Sequence, residues 1–131
     1  MNRNTPLISF LAAGLAPLLL AGGCGSKADD LGIAGECTST EDCPEDTEPP
    51  LECLTNFKGG YCGLSDCGGN EDCPEDSICV THEGSNYCFR TCVDKAECNA
   101  NRSADNEANC SANITRTDEG TEKACVPPSS G

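Results

Sequence analysis

The fold is decided by the stretch CGGNEDCPEDSICVTHEGSNYC, residues 67–88, in which four cysteines enclose an acidic segment and a short alternating pattern. The acidic segment Glu-Asp-Cys-Pro-Glu-Asp, residues 71–76, occurs letter for letter at residues 41–46 as well. A tyrosine precedes the fourth cysteine in both copies, at Tyr61 and Tyr87. Self-similarity of this kind indicates a repeated cysteine unit.

Twelve of the 13 cysteines fall into three groups of four, and five residues separate the first two cysteines of every group. The predicted units cover residues 37–62, 63–88 and 89–125, and the third is a diverged copy with longer loops. In chain order the cysteines are Cys37, Cys43, Cys53, Cys62, Cys67, Cys73, Cys79, Cys88, Cys92, Cys98, Cys110 and Cys125. The polar loops at residues 99–109 and 111–124 are expected to be mobile, and residues 126–131 to be a disordered tail.

The chain has 131 residues but only three Phe, two Tyr and no Trp, which is a poor supply for an ordinary hydrophobic core. High cysteine content in a short exported chain is typical of a disulfide scaffold. We predict a small disulfide-rich fold with little regular structure, in which three tandem units each hold a short β-hairpin and loops. In the second unit, residues 83–85 are the predicted turn of that hairpin.

Four cysteines allow three pairings within a unit. We favour pairing the first with the third and the second with the fourth, because interlocked loops rigidify a unit that has no core. Six such disulfides would be the main stabilising device, since each removes about 3 kcal/mol of freedom from the unfolded chain in the entropic model.

Residues 1–23 differ from the rest of the chain. Arg3 is followed by an uncharged apolar run at residues 7–20 and by small residues at 21–23. This order is typical of an N-terminal helical signal peptide, and the run is shorter than the roughly 20 apolar residues that a membrane span needs. The protein is therefore predicted to be exported.

The segment Leu-Ala-Gly-Gly-Cys, which ends at Cys24, resembles the lipobox of bacterial lipoproteins. It departs from that pattern at Ala21, where the family usually has a branched aliphatic residue. The resemblance implies that Cys24 carries lipid and that residues 24–36 are the lipidated cysteine and a flexible tether. Because Gly25 is not acidic, it also implies display on the bacterial outer membrane or cell surface. The alternative is ordinary cleavage that leaves Cys24 as a free thiol.

The cysteine rhythm resembles cysteine-rich repeat lipoproteins of predatory and soil delta-type bacteria, and also the Dickkopf amino-terminal and EB-type modules. The likeness covers residues 37–88 well and residues 92–125 loosely. It implies a non-enzymatic binding or structural envelope module that is held at the membrane by its lipid and that presents loops to an extracellular protein or glycan. The alternative function is a small inhibitor of an exported hydrolase, with residues 44–52 or 80–87 as its exposed loop.

Acidic residues number 22 against 8 basic ones, a formal charge of −14, which disfavours binding to nucleic-acid phosphates. The repeated acidic segment has two interpretations. The favoured one is a solvated face that keeps the protein soluble and monomeric, and the other is a set of oxygen ligands for calcium. The calcium candidates are Glu41, Asp42, Glu45, Asp46, Glu71, Asp72, Glu75 and Asp76. No resident cofactor is predicted, and structural zinc is disfavoured because no Cys-x2-Cys spacing occurs.

The only histidine is His82, which adjoins the predicted turn of the second unit. Nucleophilic catalysis needs a base beside a serine or a free thiol. We interpret His82 as an exposed turn residue, and the chain as a protein that is not an enzyme.

Overall fold

A computed structural model describes residues 32–129 of the chain. Seven short strands and one helical turn make up its regular structure, so the predicted small disulfide-rich fold is confirmed. The strands are β1 (Glu52–Cys53), β2 (Cys62–Ser65), β3 (Ser77–His82), β4 (Ser85–Cys92), β5 (Asn109–Ser111), β6 (Thr115–Arg116) and β7 (Lys123–Val126); the helix is α1 (Lys95–Cys98). Three 3-10 turns lie at Thr40–Asp42, Asn70–Asp72 and Ala104–Asn106. Within residues 32–129, no helix is long and apolar enough to cross a membrane.

The β3–β4 hairpin of the second unit is the centre of the sheet. Its register runs from Ser77 opposite Arg90 to His82 opposite Ser85. The two turn residues, Glu83 and Gly84, have φ values of 51° and 86°. Positive φ at both positions defines the type of two-residue turn whose twist suits a hairpin, and glycine adopts it without strain. The turn predicted at residues 83–85 is confirmed at Glu83 and Gly84, while Ser85 is already the first residue of β4.

Strand β4 joins the three units into one sheet. Strand β2, which begins at the last cysteine of the first unit and pairs there with β1, continues beside residues 87 and 88 of β4. The third unit adds β7 beside residues 91 and 92. On the far side of the hairpin, β3 pairs with β6, which belongs to the long polar loop of the third unit. The prediction that residues 111–124 form a mobile loop is wrong at β6, because its backbone pairs with a neighbouring strand.

All six disulfides follow the favoured pairing of first with third and second with fourth cysteine. Their Cα atoms are 5.3–6.0 Å apart, a separation that suits the bond. The pairs are Cys37–Cys53, Cys43–Cys62, Cys67–Cys79, Cys73–Cys88, Cys92–Cys110 and Cys98–Cys125. Each unit is therefore closed on itself by two interlocked loops.

The three units nevertheless share one hydrophobic core, which corrects the expectation that disulfides would replace a core. Phe57 is buried at the centre, with its ring centroid 5.0 Å from that of Tyr87 and 5.8 Å from that of Phe89. Ala108 and Ala124 of the third unit belong to the same buried cluster. The low number of aromatic residues led to the wrong expectation that there is no core. The four aromatic residues in the repeats all pack together in one cluster.

Both ends of the described chain pack against the first and third units. Ile33 and Ala34 are each 1% exposed, and the Ala34 amide donates to the Cys62 carbonyl at 2.9 Å. The predicted flexible tether is therefore wrong for residues 32–36. At the other end, Val126 lies in β7 and the Lys58 amide donates to the Pro128 carbonyl at 2.9 Å. The predicted disordered tail is wrong for residues 126–129, because backbone pairing fixes them.

Candidate functional site

The repeated acidic segment begins in a turn that its aspartate stabilises. In the first unit, Asp42 Oδ2 accepts hydrogen bonds from the amide and hydroxyl of Thr38, each at 2.9 Å, and from the Ser39 amide at 3.2 Å. In the second unit, Asp72 Oδ2 accepts from the Gly68 amide at 2.7 Å. The hydrogen bonds from Thr38 and Ser39 hold the pKa of the Asp42 carboxyl below its usual value.

A second side chain ties each turn to the third cysteine of its unit. Thr40 Oγ1 accepts from the Cys53 amide at 3.2 Å, and Asn70 Oδ1 accepts from the Cys79 amide at 2.9 Å. Thr40 and Asn70 occupy the same position, three residues after the first cysteine. The two units thus repeat in hydrogen bonding as well as in sequence.

The diverged third unit builds the same turn with different residues. Glu97 stands just before the second cysteine, where the other units have aspartate. Its Oε1 accepts from the Val93 amide at 2.5 Å and from the Asp94 amide at 3.2 Å, and Asp94 Oδ1 accepts from the Glu97 amide at 3.3 Å. This reciprocal pair is a capping box at the start of α1. The longer glutamate therefore replaces aspartate in the same role.

These contacts change the interpretation of the calcium candidates. All eight candidates are exposed, and two of them, Asp42 and Asp72, also hold turns. Among residues 32–129, no three carboxylates bring ligand atoms within 4.8 Å of one another. The groups that do come that close consist of cysteines, and those sulfurs are bonded in disulfides. Within the described part of the chain, clustering in the sequence therefore does not become a cluster of three carboxylates in space.

His82 is not an exposed turn residue, so that interpretation is wrong. It is the last residue of β3, and its side chain is 25% exposed. Its ring centroid lies 6.0 Å from that of Phe57 and 5.8 Å from that of Phe89, and its Nε2 lies 3.6 Å from the carboxylate of Glu83. These neighbours place the imidazole at the edge of the aromatic core.

Tyr61, noted in the sequence only as part of a repeat, links the first unit to the third. The residue is fully buried. Its hydroxyl donates to the Cys125 carbonyl at 2.9 Å and accepts from the Arg90 amide at 3.0 Å. Burial raises the pKa of the Tyr61 phenol. Its counterpart Tyr87 is partly buried, and its hydroxyl accepts from the Asn56 side chain.

Arg102 has a structural role that the sequence did not reveal. It lies in a polar loop predicted to be mobile, yet only 9% of it is exposed. Its guanidinium donates to the carbonyls of Ala34 at 3.1 Å, Gly60 at 2.8 Å and Lys58 at 2.8 Å, and its Nε donates to that of Asn106 at 2.6 Å. Burial lowers the pKa of this group, and the neighbouring Tyr61 and Glu36 oppose that effect.

Glu36 adds a second link between the start of the domain and the third unit. Its Oε1 accepts from the hydroxyl of Ser103 at 2.7 Å, from the Ser103 amide and from the side chain of Asn106 at 3.2 Å. The hydrogen bonds from Ser103 are the main cause of a lowered Glu36 pKa. Together with Arg102, this carboxylate fixes the loop at residues 101–106 against the first unit.

The remaining predicted sites divide into two groups. The signal peptide and Cys24 lie outside the described residues. Of the two loops suggested for an inhibitor, residues 80–87 form the end of the β3–β4 hairpin, with both strands paired in the sheet. The other, residues 44–52, includes the buried Thr47 and Leu51 between exposed residues. No family model matches the chain, and neither does any curated protein or solved structure.

Proposed function

We propose that the chain is a lipid-anchored, surface-displayed and non-enzymatic binding or envelope module. The observation that carries this proposal is the way in which the cysteines pair. Twelve of the 13 pair with one another. Cys24 is thus the one cysteine outside the disulfide set, and it stands where the lipobox resemblance puts the acylated residue. Six disulfides also agree with an oxidising compartment outside the cytoplasm.

The short distance along the chain between anchor and domain supports display close to a membrane. Eight residue steps separate Cys24 from Gly32, where the described chain begins. At full extension they reach no more than roughly 30 Å. Because residues 32–36 pack on the domain, the proposed tether shortens from 13 residues to about eight. The lipid would then hold the disulfide-rich domain near the headgroups, as stable anchoring by two or more acyl chains permits.

The roles of the reactive side chains support a function other than catalysis. His82 packs against aromatic rings, Tyr61 bonds two backbone groups, and the acid before the second cysteine holds a turn in each unit. Each of these groups has a structural task in the described part of the chain. A rigid module with exposed loops is the arrangement that suits presentation to a partner.

Intact mass spectrometry after expression in a bacterial host with lipoprotein processing tests the proposal. The expected product begins at Cys24, carries the added acyl groups and lacks 12 hydrogens relative to the reduced chain. The matched control is Cys24→Ser, which should leave the disulfides intact and remove the lipid mass. Cleavage at another residue, with a titratable thiol at Cys24, would contradict the anchor.

The inhibitor of an exported hydrolase remains the alternative, with less support. Its candidate loop at residues 80–87 lies in a paired hairpin, which leaves little backbone to occupy a protease cleft. A panel of exported proteases separates the two functions. Inhibition of a protease at nanomolar concentrations of this protein would favour the inhibitor. Resistance of the chain to cleavage, with no inhibition of the proteases, would favour the displayed module.

A further inference from the structure

A groove of about 380 Å³ lies where the second and third units meet. Its walls come from the end of β4, the turn before α1 and the start of β7. The lining residues are Asp76, Thr91, Cys92, Val93, Glu97, Thr121, Glu122 and Lys123. Its surface is mostly apolar, although the loops that frame it are polar.

Val93 gives the groove its apolar character. It is 75% exposed, and within residues 32–129 it is the one large hydrophobic residue with such exposure. Its backbone is fixed, because its amide donates to Glu97 Oε1 and its carbonyl accepts from Lys123 Nζ at 3.4 Å. The exposed isopropyl group extends the apolar surface of the groove, and a partner that covers both removes that area from water.

Carboxylates surround this apolar surface. Asp76, Glu97 and Glu122 line the groove together with a single cation, Lys123. The described residues as a whole carry 20 acidic and six basic side chains, and two of those six, Arg90 and Arg102, are buried. A ligand with an apolar stem and a cationic end matches this combination, because long basic side chains lay their methylenes on apolar surface and keep the charge at its edge.

We propose that this groove binds an arginine or lysine side chain in an extended cationic segment of a partner protein. The stem would lie on Val93, and the charged end would meet the carboxylates of Asp76 and Glu122, which line the groove. This inference rests on the proposed function of a displayed module and names the chemistry of its partner. The complementary charge should speed encounter and make binding sensitive to salt.

The test uses the full chain purified in a non-ionic detergent and a rhodamine-labelled peptide, Gly-Ser-Arg-Leu-Arg-Ser-Gly. The matched peptide has citrulline in place of both arginines, which removes the charge and keeps the shape. Fluorescence anisotropy should show saturable binding of the arginine peptide, weakened at least tenfold with citrulline. Amide shifts in ¹⁵N NMR spectra should concentrate at residues 91–97 and 121–123.

Three variants distinguish specific binding at the groove from general electrostatic attraction of the peptide to an acidic protein. Val93→Ser should weaken binding about threefold to tenfold, as expected for the loss of a partly buried apolar contact. Glu122→Gln should weaken it about twofold to fivefold, as expected for a lost exposed ion pair. Glu45→Gln removes an exposed carboxylate that does not line the groove, and it should change the affinity by less than about 1.5-fold. Equal effects of Glu45→Gln and Glu122→Gln, or no binding at millimolar peptide, would overturn the proposal.

The outcomes also separate this proposal from the one on which it rests. The peptide assay does not depend on acylation. A chain that binds the peptide but carries no lipid contradicts only the anchor, and a lipidated chain that does not bind contradicts only the groove.

Discussion

Replacement of Arg102 by methionine should destabilise the domain, because this side chain ties the third unit to the first. Methionine keeps most of the aliphatic stem and removes the donors to four carbonyls. The carbonyls of Ala34 and Gly60 lie in buried hydrogen bonds, and a buried acceptor without a partner costs about 1–3 kcal/mol. The carbonyls of Lys58 and Asn106 are partly buried and can bind water, so they add less. The expected loss is about 3–5 kcal/mol.

Guanidinium unfolding with the disulfides intact, followed by near-ultraviolet circular dichroism, measures this loss. Arg102→Lys should fall between wild type and methionine, because it keeps the charge and loses the planar fork of donors. Arg116→Met is the matched control. Arg116 also donates to a carbonyl, that of Glu122, but at an exposed site, and its loss should cost less than about 1 kcal/mol. A difference of under 1 kcal/mol between the two methionine variants would refute the role given to Arg102.

Three further predictions concern single hydrogen-bonded groups. Tyr61→Phe should cost about 2–3 kcal/mol in the same unfolding experiment, since it leaves two buried backbone groups without a partner, and Tyr87→Phe should cost under about 1 kcal/mol. Glu36→Gln should remove part of the acid sensitivity. The folded pKa of Glu36 is lowered, so its contribution is complete above the unfolded pKa of about 4.3 and is lost as pH falls through the folded value. Between pH 6 and pH 3 the wild type should lose more unfolding free energy than the variant, by less than about 1 kcal/mol because the site is partly exposed. Equal pH profiles for wild type and variant would contradict this role of Glu36. Asp72→Ala should cost about 1 kcal/mol through loss of its turn, whereas Glu71→Ala should be neutral, and equal losses would argue against the turn.

The sequence predicts the parts of the fold that rest on local spacing. The four-cysteine rhythm led to the correct disulfide pairing, and the turn predicted at residues 83–85 is found at Glu83 and Gly84. Both depend on residues close together in the chain.

The repeat of the acidic segment was also visible in the sequence, but its structural role was not. A carboxylate that accepts amide hydrogen bonds and one that could bind calcium look alike in a sequence.

What the sequence did not predict depends on contacts between units. Arg102 lies 42 residues from Gly60 and 68 from Ala34, whose carbonyls it binds. No local pattern marks such a residue, and its polar surroundings indicated a loop. The shared core was missed for a related reason: each unit has too few apolar residues for a core, and only the sheet built on β4 brings them together.

Native-state hydrogen exchange tests the central claim that three cysteine units form one domain. Three buried amides report on the units in turn: Leu54, which donates to Tyr61, Cys79, which donates to Asn70, and Ala108, which donates to Asn99. A single domain with a common core predicts that all three amides open with the same free energy, within about 1 kcal/mol. Three separate levels, with the third unit exchanging first and several kcal/mol below the others, would contradict it.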